Sequence, residues 1–166
     1  MLAGMMLLAG SLLSAITAPF TGRLLDTYGA KRILSIGSGF LLLGSCLLFG
    51  FSRSLTPATI VVFYAIYMLG FSFTFNNALT FGLQQLTPPQ ITDGNAAFNT
   101  LQQYSGSLGT AVAAAILALS AHHTQLTTAQ QTLAGSHNVL LFFVDLCLLA
   151  ILLIFSLPQT HQPLTK

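Results

Sequence analysis

Uncharged, apolar runs of about 20 residues recur along the chain, each closed by charges, prolines or polar clusters. A helix rises about 1.5 Å per residue, so a run of that length covers the roughly 30 Å hydrocarbon core of a bilayer. Five runs fit, from about residue 2 to 21, 33 to 51, 59 to 81, 96 to 120 and 139 to 157. The pattern predicts an all-α membrane protein with five transmembrane helices in a domain over 1–158 and a tail over 159–166. The first run lacks a positively charged leader and, at about 22 uncharged residues, exceeds a signal-peptide apolar core, so it reads as a retained span.

Composition agrees with lipid as the solvent. Of 166 residues, 54% are hydrophobic and 5% charged, whereas a soluble surface needs roughly a quarter charged residues. The net charge of +2 comes from too few side chains to make a basic patch dense enough for nucleic acid, which is set aside as a partner. Cys46 and Cys147 both fall inside apolar runs, which argues against a disulfide framework.

Where the few charges lie matters more than their sum. Arg23, Lys31 and Arg32 separate the first two spans, Arg53 stands alone after the second, and Lys166 sits on the tail. The positive-inside tendency then makes the first loop, the third loop (Thr87 to Asn95) and the C-terminus cytoplasmic, with four cations inside against one outside. The first span would begin outside. An odd number of spans starting there, with no long internal repeat, predicts an incomplete chain holding at most one half of a paired-repeat transporter.

The stretch from Gly22 to Arg32, GRLLDTYGAKR, places two glycines suited to a tight turn beside an acid and several bases at the membrane surface. It resembles the cytoplasmic loop signature of the major facilitator superfamily, Gly-x-Leu-x-Asp-x-x-Gly-x-basic. The resemblance implies a cytoplasmic latch of Gly22, Asp26, Gly29, Lys31 and Arg32, in which Asp26 engages a neighbouring helix and biases alternating access. Read from charge alone, Arg23, Lys31 and Arg32 are topology determinants, a reading supported by Lys31 and Arg32 preceding a helix start that would otherwise prefer anions. The run from Asp93 to Ala111, with Thr17 to Phe20 and Asn76 to Leu79, is similar to the fourteen-span drug:proton antiporter branch. On that likeness the chain is the C-terminal domain of an exporter without that domain's first helix.

The resemblance further implies export of hydrophobic or amphipathic compounds in exchange for protons, through the cell membrane and together with an N-terminal half. The competing expectation is a truncated fragment or scaffold subunit that inserts and packs but moves nothing. No Gly-x-Ser-x-Gly elbow, paired-His motif or phosphate-cradling loop occurs, so neither an enzyme nor a cofactor is expected, and any driving force would come from an ion gradient.

Other positions carry two readings each. Ser105, Gly109 and Ala113, and likewise Gly10, Ser14 and Ala18, recur every four residues as grooves for close helix approach. Asn76, Asn77 and Gln84 on the third span and Asn99, Gln102 and Gln103 on the fourth need hydrogen-bond partners in lipid, so they should face inward, lining a polar cavity or bonding between helices. Asp145, the one acid well inside a span, is a proton-path candidate or an interfacial acid with a polar partner. Phe71, Phe73 and Phe75 alternate between faces and read as hydrocarbon filling or cavity lining. His122 and His123 read as part of a solvated outer loop rather than a metal site.

Overall fold

A computed structural model describes residues 2–121 and 127–156. His122, His123 and the tail with Lys166 lie outside the described residues. The described chain forms five α-helices: α1 (Leu2–Tyr28), α2 (Ala30–Gly50), α3 (Pro57–Gln84), α4 (Ile91–Ala121) and α5 (Thr128–Ser156). A single 3-10 turn, Pro88–Gln90, leads into α4. There are no strands among the described residues.

Every helix runs past at least one end of the apolar run that predicted it, because caps rather than hydropathy end a helix. Thr56 caps α3, its hydroxyl accepting from the Thr59 N–H while Thr59 Oγ1 accepts from the Thr56 N–H at 2.9 Å, with Pro57 in the first turn. Thr127 precedes α5 in the same manner: its N–H and hydroxyl both donate to Gln130 Oε1, at 3.0 and 3.1 Å. The fifth helix therefore starts at Thr128 rather than near Val139, and the fourth at Ile91 rather than Ala96. The expected loop from Thr87 to Asn95 shrinks accordingly, since Ile91 to Asn95 are already helical.

The expected loop between the first two spans also needs correction. Gly22 and Asp26 lie within α1, Lys31 and Arg32 lie in the first turn of α2, and Gly29 alone interrupts the helices. Gly22 makes no turn. Leu25, one turn further on, is 5% exposed and carries the packed face of α1 onward, and Thr27 Oγ1 donates to the Arg23 carbonyl. The reversal rests on Gly29 at φ 80°, the left-handed conformation that glycine adopts without steric cost.

The helices lie side by side in the order α1, α3, α2, α5, α4, and α3 touches α4 only lightly. α1 runs parallel to α3: Gly10 abuts the Tyr64 ring, and Ser72 Oγ donates to the Ser14 carbonyl and accepts from Thr17 Oγ1, both at 3.1 Å. The Gly10, Ser14, Ala18 groove is thus filled. α2 and α3 run antiparallel and approach most closely where glycines remove side chains. A Cβ on Gly70 would meet the Leu41 N and lie 2.7 Å from the Gly37 carbonyl oxygen, and one on Gly44 would lie 2.8 Å from the Tyr67 backbone.

α5 runs antiparallel to α2, and three contacts mark the register. Ser52 Oγ lies 2.8 Å from His137 Nδ1, Ser45 Oγ 3.7 Å from Cys147 Sγ, and Lys31 Nζ 2.9 Å from the Phe155 carbonyl. α4 folds back on α5, where Asn138 donates to Ser120 Oγ. This alternation places Asp26, Lys31, Gln84, Asp93 and Phe155 at one end of the bundle, and Arg53, Thr56, Ser120 and His137 at the other.

Burial is inverted relative to a soluble protein. Thr21, Ser38, Ser45, Ser72 and Asn77 are among the most buried side chains, while Leu119 and Leu152 are 70% and 68% exposed. Small and hydroxylated residues in the seams with leucines outside suit a hydrocarbon solvent, in which close packing and interhelical hydrogen bonds hold helices together. Among the described residues, α2, α3 and Ala129–Ser156 of α5 are long and apolar enough to cross a membrane. α4 opens instead with Asp93, Asn95, Asn99, Gln102 and Gln103.

Candidate functional site

The Gly22 to Arg32 segment puts its acid and bases at one helix-to-helix reversal. Asp26 is exposed on the last full turn of α1, and Arg23 and Arg32 are exposed on either side of the break at Gly29. Asp26 has no hydrogen bond or ion pair with any described residue, so its carboxylate is presented outward from this chain. Lys31 behaves differently. Its own helix dipole disfavours a cation at the start of α2, but its ammonium reaches the Phe155 carbonyl in the last turn of α5, where a cation is favoured. The motif base thereby ties α2 to α5.

The amides do not converge within this chain. Asn77, 2% exposed, donates to the Phe73 carbonyl of its own helix at 2.8 Å. Asn76 is exposed, as is Gln84 at the end of α3. On α4, Asn99 is exposed and donates to the Asn95 carbonyl at 2.8 Å, Gln102 is half-buried, and Gln103 is exposed. α3 and α4 meet where Gly82 abuts the Phe98 ring, and Gly94 abuts Leu86 of the turn between them. Within this chain Asn77 is buried and Gln102 half-buried, whereas Asn76, Gln84, Asn99 and Gln103 are exposed, and α4 leans on α5 and hardly on α3.

In the second small-residue stripe, Ser105 is exposed and an added Cβ on Gly109 would have nothing within 4 Å. Asp145 is exposed too, and it lies on the stripe of α5 that carries Asn138, seven residues earlier. It has no described partner. Phe71 and Phe75 stack on one another with centroids 4.6 Å apart, while Phe73 turns to Phe40 of α2 at 6.4 Å.

Two features went unread in the sequence. Thr74 Oγ1 is buried without a hydrogen-bond partner in the α2–α3 seam, against Gly37. At the end of the bundle far from Asp26, a cavity of about 440 Å³ is lined by Arg53, Gln130, Leu133, Ala134, His137 and Asn138. The isolated Arg53 and His137 were visible in the sequence, but nothing local shows that residues so far apart meet. No group of metal-ligating side chains occurs among the described residues.

Comparison with known proteins covers most of the chain. The Major Facilitator Superfamily profile matches residues 1–110. The chain is 40% identical over 115 residues to a protein of Listeria innocua named lincomycin resistance protein LmrB, an alignment covering 69% of this chain and 24% of that protein. It is 38% identical over 122 residues to the protein of that name in Bacillus subtilis, covering 72% and 25% of the two. An uncharacterized MFS-type transporter of Bacillus subtilis, YcnB, is 28% identical over 161 residues, 96% of this chain and 34% of that protein. The chain thus spans between a quarter and a third of the length of these relatives. No solved structure matches.

Proposed function

The chain belongs to the Major Facilitator Superfamily of membrane transporters, and from that premise we propose that it supplies C-terminal helices of a fourteen-span exporter that expels hydrophobic or amphipathic compounds in exchange for protons. The family membership makes it a multi-pass membrane protein and a transporter component rather than an enzyme. The observation that carries the proposal is the open face of α4. Asn99, Gln103 and Ser105 lie exposed on a helix that touches little but α5, and such groups are costly in hydrocarbon unless protein or a water-filled cavity covers them. A second transporter half packed against α4 and the exposed Asn76 of α3 would enclose a polar path at membrane depth, with Gln102 and Asp145 as its further polar groups and Asn77 buried behind it.

The latch reading places the Asp26 end, and with it the C-terminus, in the cytoplasm of a cell that carries the protein in its plasma membrane. Asp26, outward-facing and unpaired with any described residue, is available to a helix of the other half. Gly29 shapes the reversal, Gly22 lies in α1 ahead of it, Lys31 anchors it on α5, and Arg32 adds positive charge at the same surface. Asp145 is the proton-carrying candidate. Ethidium export by cells making this chain together with the remaining spans tests these roles. Asp26→Asn is expected to lower the export rate at least about tenfold, the loss of a coupling interaction of roughly 1.4 kcal/mol. Asp145→Asn is expected to abolish its dependence on the proton gradient. Unchanged export in both variants, with normal membrane levels, would return the chain to the scaffold reading.

A further inference from the structure

The cavity at the Arg53 end has a lining of one chemical kind. Arg53 offers a guanidinium with no hydrogen-bond or ion-pair partner among the described residues, and none of the six lining residues is acidic. Gln130 Oε1 is already occupied by the Thr127 N–H and hydroxyl, at 3.0 and 3.1 Å, which leaves the Gln130 NH₂ as the free end of the amide. Asn138 spends one amide hydrogen on Ser120 Oγ and keeps the other. His137 is held by Phe49, stacked with centroids 4.3 Å apart, and by Ser52, whose Oγ is 2.8 Å from Nδ1. When the Ser52 hydroxyl donates to Nδ1, the ring proton sits on Nε2, so the second nitrogen of a half-buried and immobilised imidazole is a donor as well.

With the His137 proton on Nε2, four donor-bearing side chains and no carboxylate surround one cavity, a lining that fits an oxyanion. Its place in the fold narrows the class. Arg53 follows the end of α2 by three residues, just beyond a helix long and apolar enough to cross a membrane and so where such a span would give way to phospholipid headgroups, and Leu133 and Ala134 give the cavity an apolar wall. We propose that this cavity binds a phosphate group, with Arg53 as the ionic contact, His137, Gln130 and Asn138 as donors, and Leu133 and Ala134 against apolar substituents. The phosphate can belong to an anionic lipid headgroup or be free in solution. The inference does not depend on the transport reading, since it uses neither the latch nor the amides.

The full chain in nanodiscs of phosphatidylcholine with a minor share of phosphatidylglycerol tests it, with retained lipid counted by native mass spectrometry. Wild type is expected to retain about fivefold more phosphatidylglycerol than R53Q, with R53K between them. Q130E, which keeps the Thr127 cap but puts an acid in the lining, should lose retention similarly, and R23Q at the opposite end should not. In a parallel arm, inorganic phosphate is titrated against the chain in pure phosphatidylcholine and followed by ³¹P line broadening. Broadening by wild type and not by R53Q, with equal lipid retention by the two, assigns the cavity to free phosphate. Equal behaviour of wild type, R53Q and Q130E in both arms, or an equal loss from R23Q, overturns the proposal. Circular dichroism on each variant confirms retained helix.

Discussion

Gly29 and the α2–α3 glycines serve different ends. Gly29 adopts φ 80° with nothing within 4 Å of an added Cβ, so Gly29→Ala meets a purely conformational penalty of about 1–2 kcal/mol, read as a lower unfolding midpoint in detergent. At Gly44 and Gly70 the conformation is ordinary helix and the neighbour is backbone. Gly70→Ala must push α2 away from α3 and is expected to cost about 1–3 kcal/mol. Gly39→Ala, on the same α2 but with open space around it, should be neutral or slightly stabilising through helix propensity. Equal effects at positions 39 and 70 would mean that the two helices do not meet as described. The seven-residue spacing of Gly37 and Gly44 on one face of α2 was legible in the sequence; that Gly70 receives it was not, because facing residues on two helices leave no local mark.

At the scale of elements, the number and kind of helices were readable from the apolar runs, and their ends were not. Hydropathy reports where lipid begins, whereas the backbone stays helical until a cap or a left-handed residue stops it. The threonine boxes that begin α3 and α5 were present in the sequence as Thr56 with Thr59 and Thr127 with Gln130, and reading them would have moved the starts toward the observed ones. Thr56→Ala removes the hydroxyl that accepts from Thr59 N–H and should cost about 1 kcal/mol, measurable as a shift in urea midpoint at unchanged slope. The order of packing was the least legible level. The two small-residue stripes look alike in sequence, yet Gly10 on α1 packs against α3 while Gly109 on α4 has nothing within 4 Å of an added Cβ, since which stripe is filled depends on which helices are at hand.

Across the whole molecule, the same arrangement that buries serines and glycines between α1, α3, α2 and α5 leaves α4 attached by one side. A polar, small-residue face of that extent is what a further set of spans would cover. On the proposed reading, the exposed amides of α3 and α4 and Asp145 line one path only when a second half is present, and Asp26 engages that half at its own end of the bundle. The most direct measurement is ethidium export from cells that make this chain alone, the remaining spans of the transporter alone, or both as separate polypeptides, with membrane levels matched. The account predicts export from the pair and none from either part. Export by this chain alone, or no export by the pair when both parts reach the membrane, would contradict it.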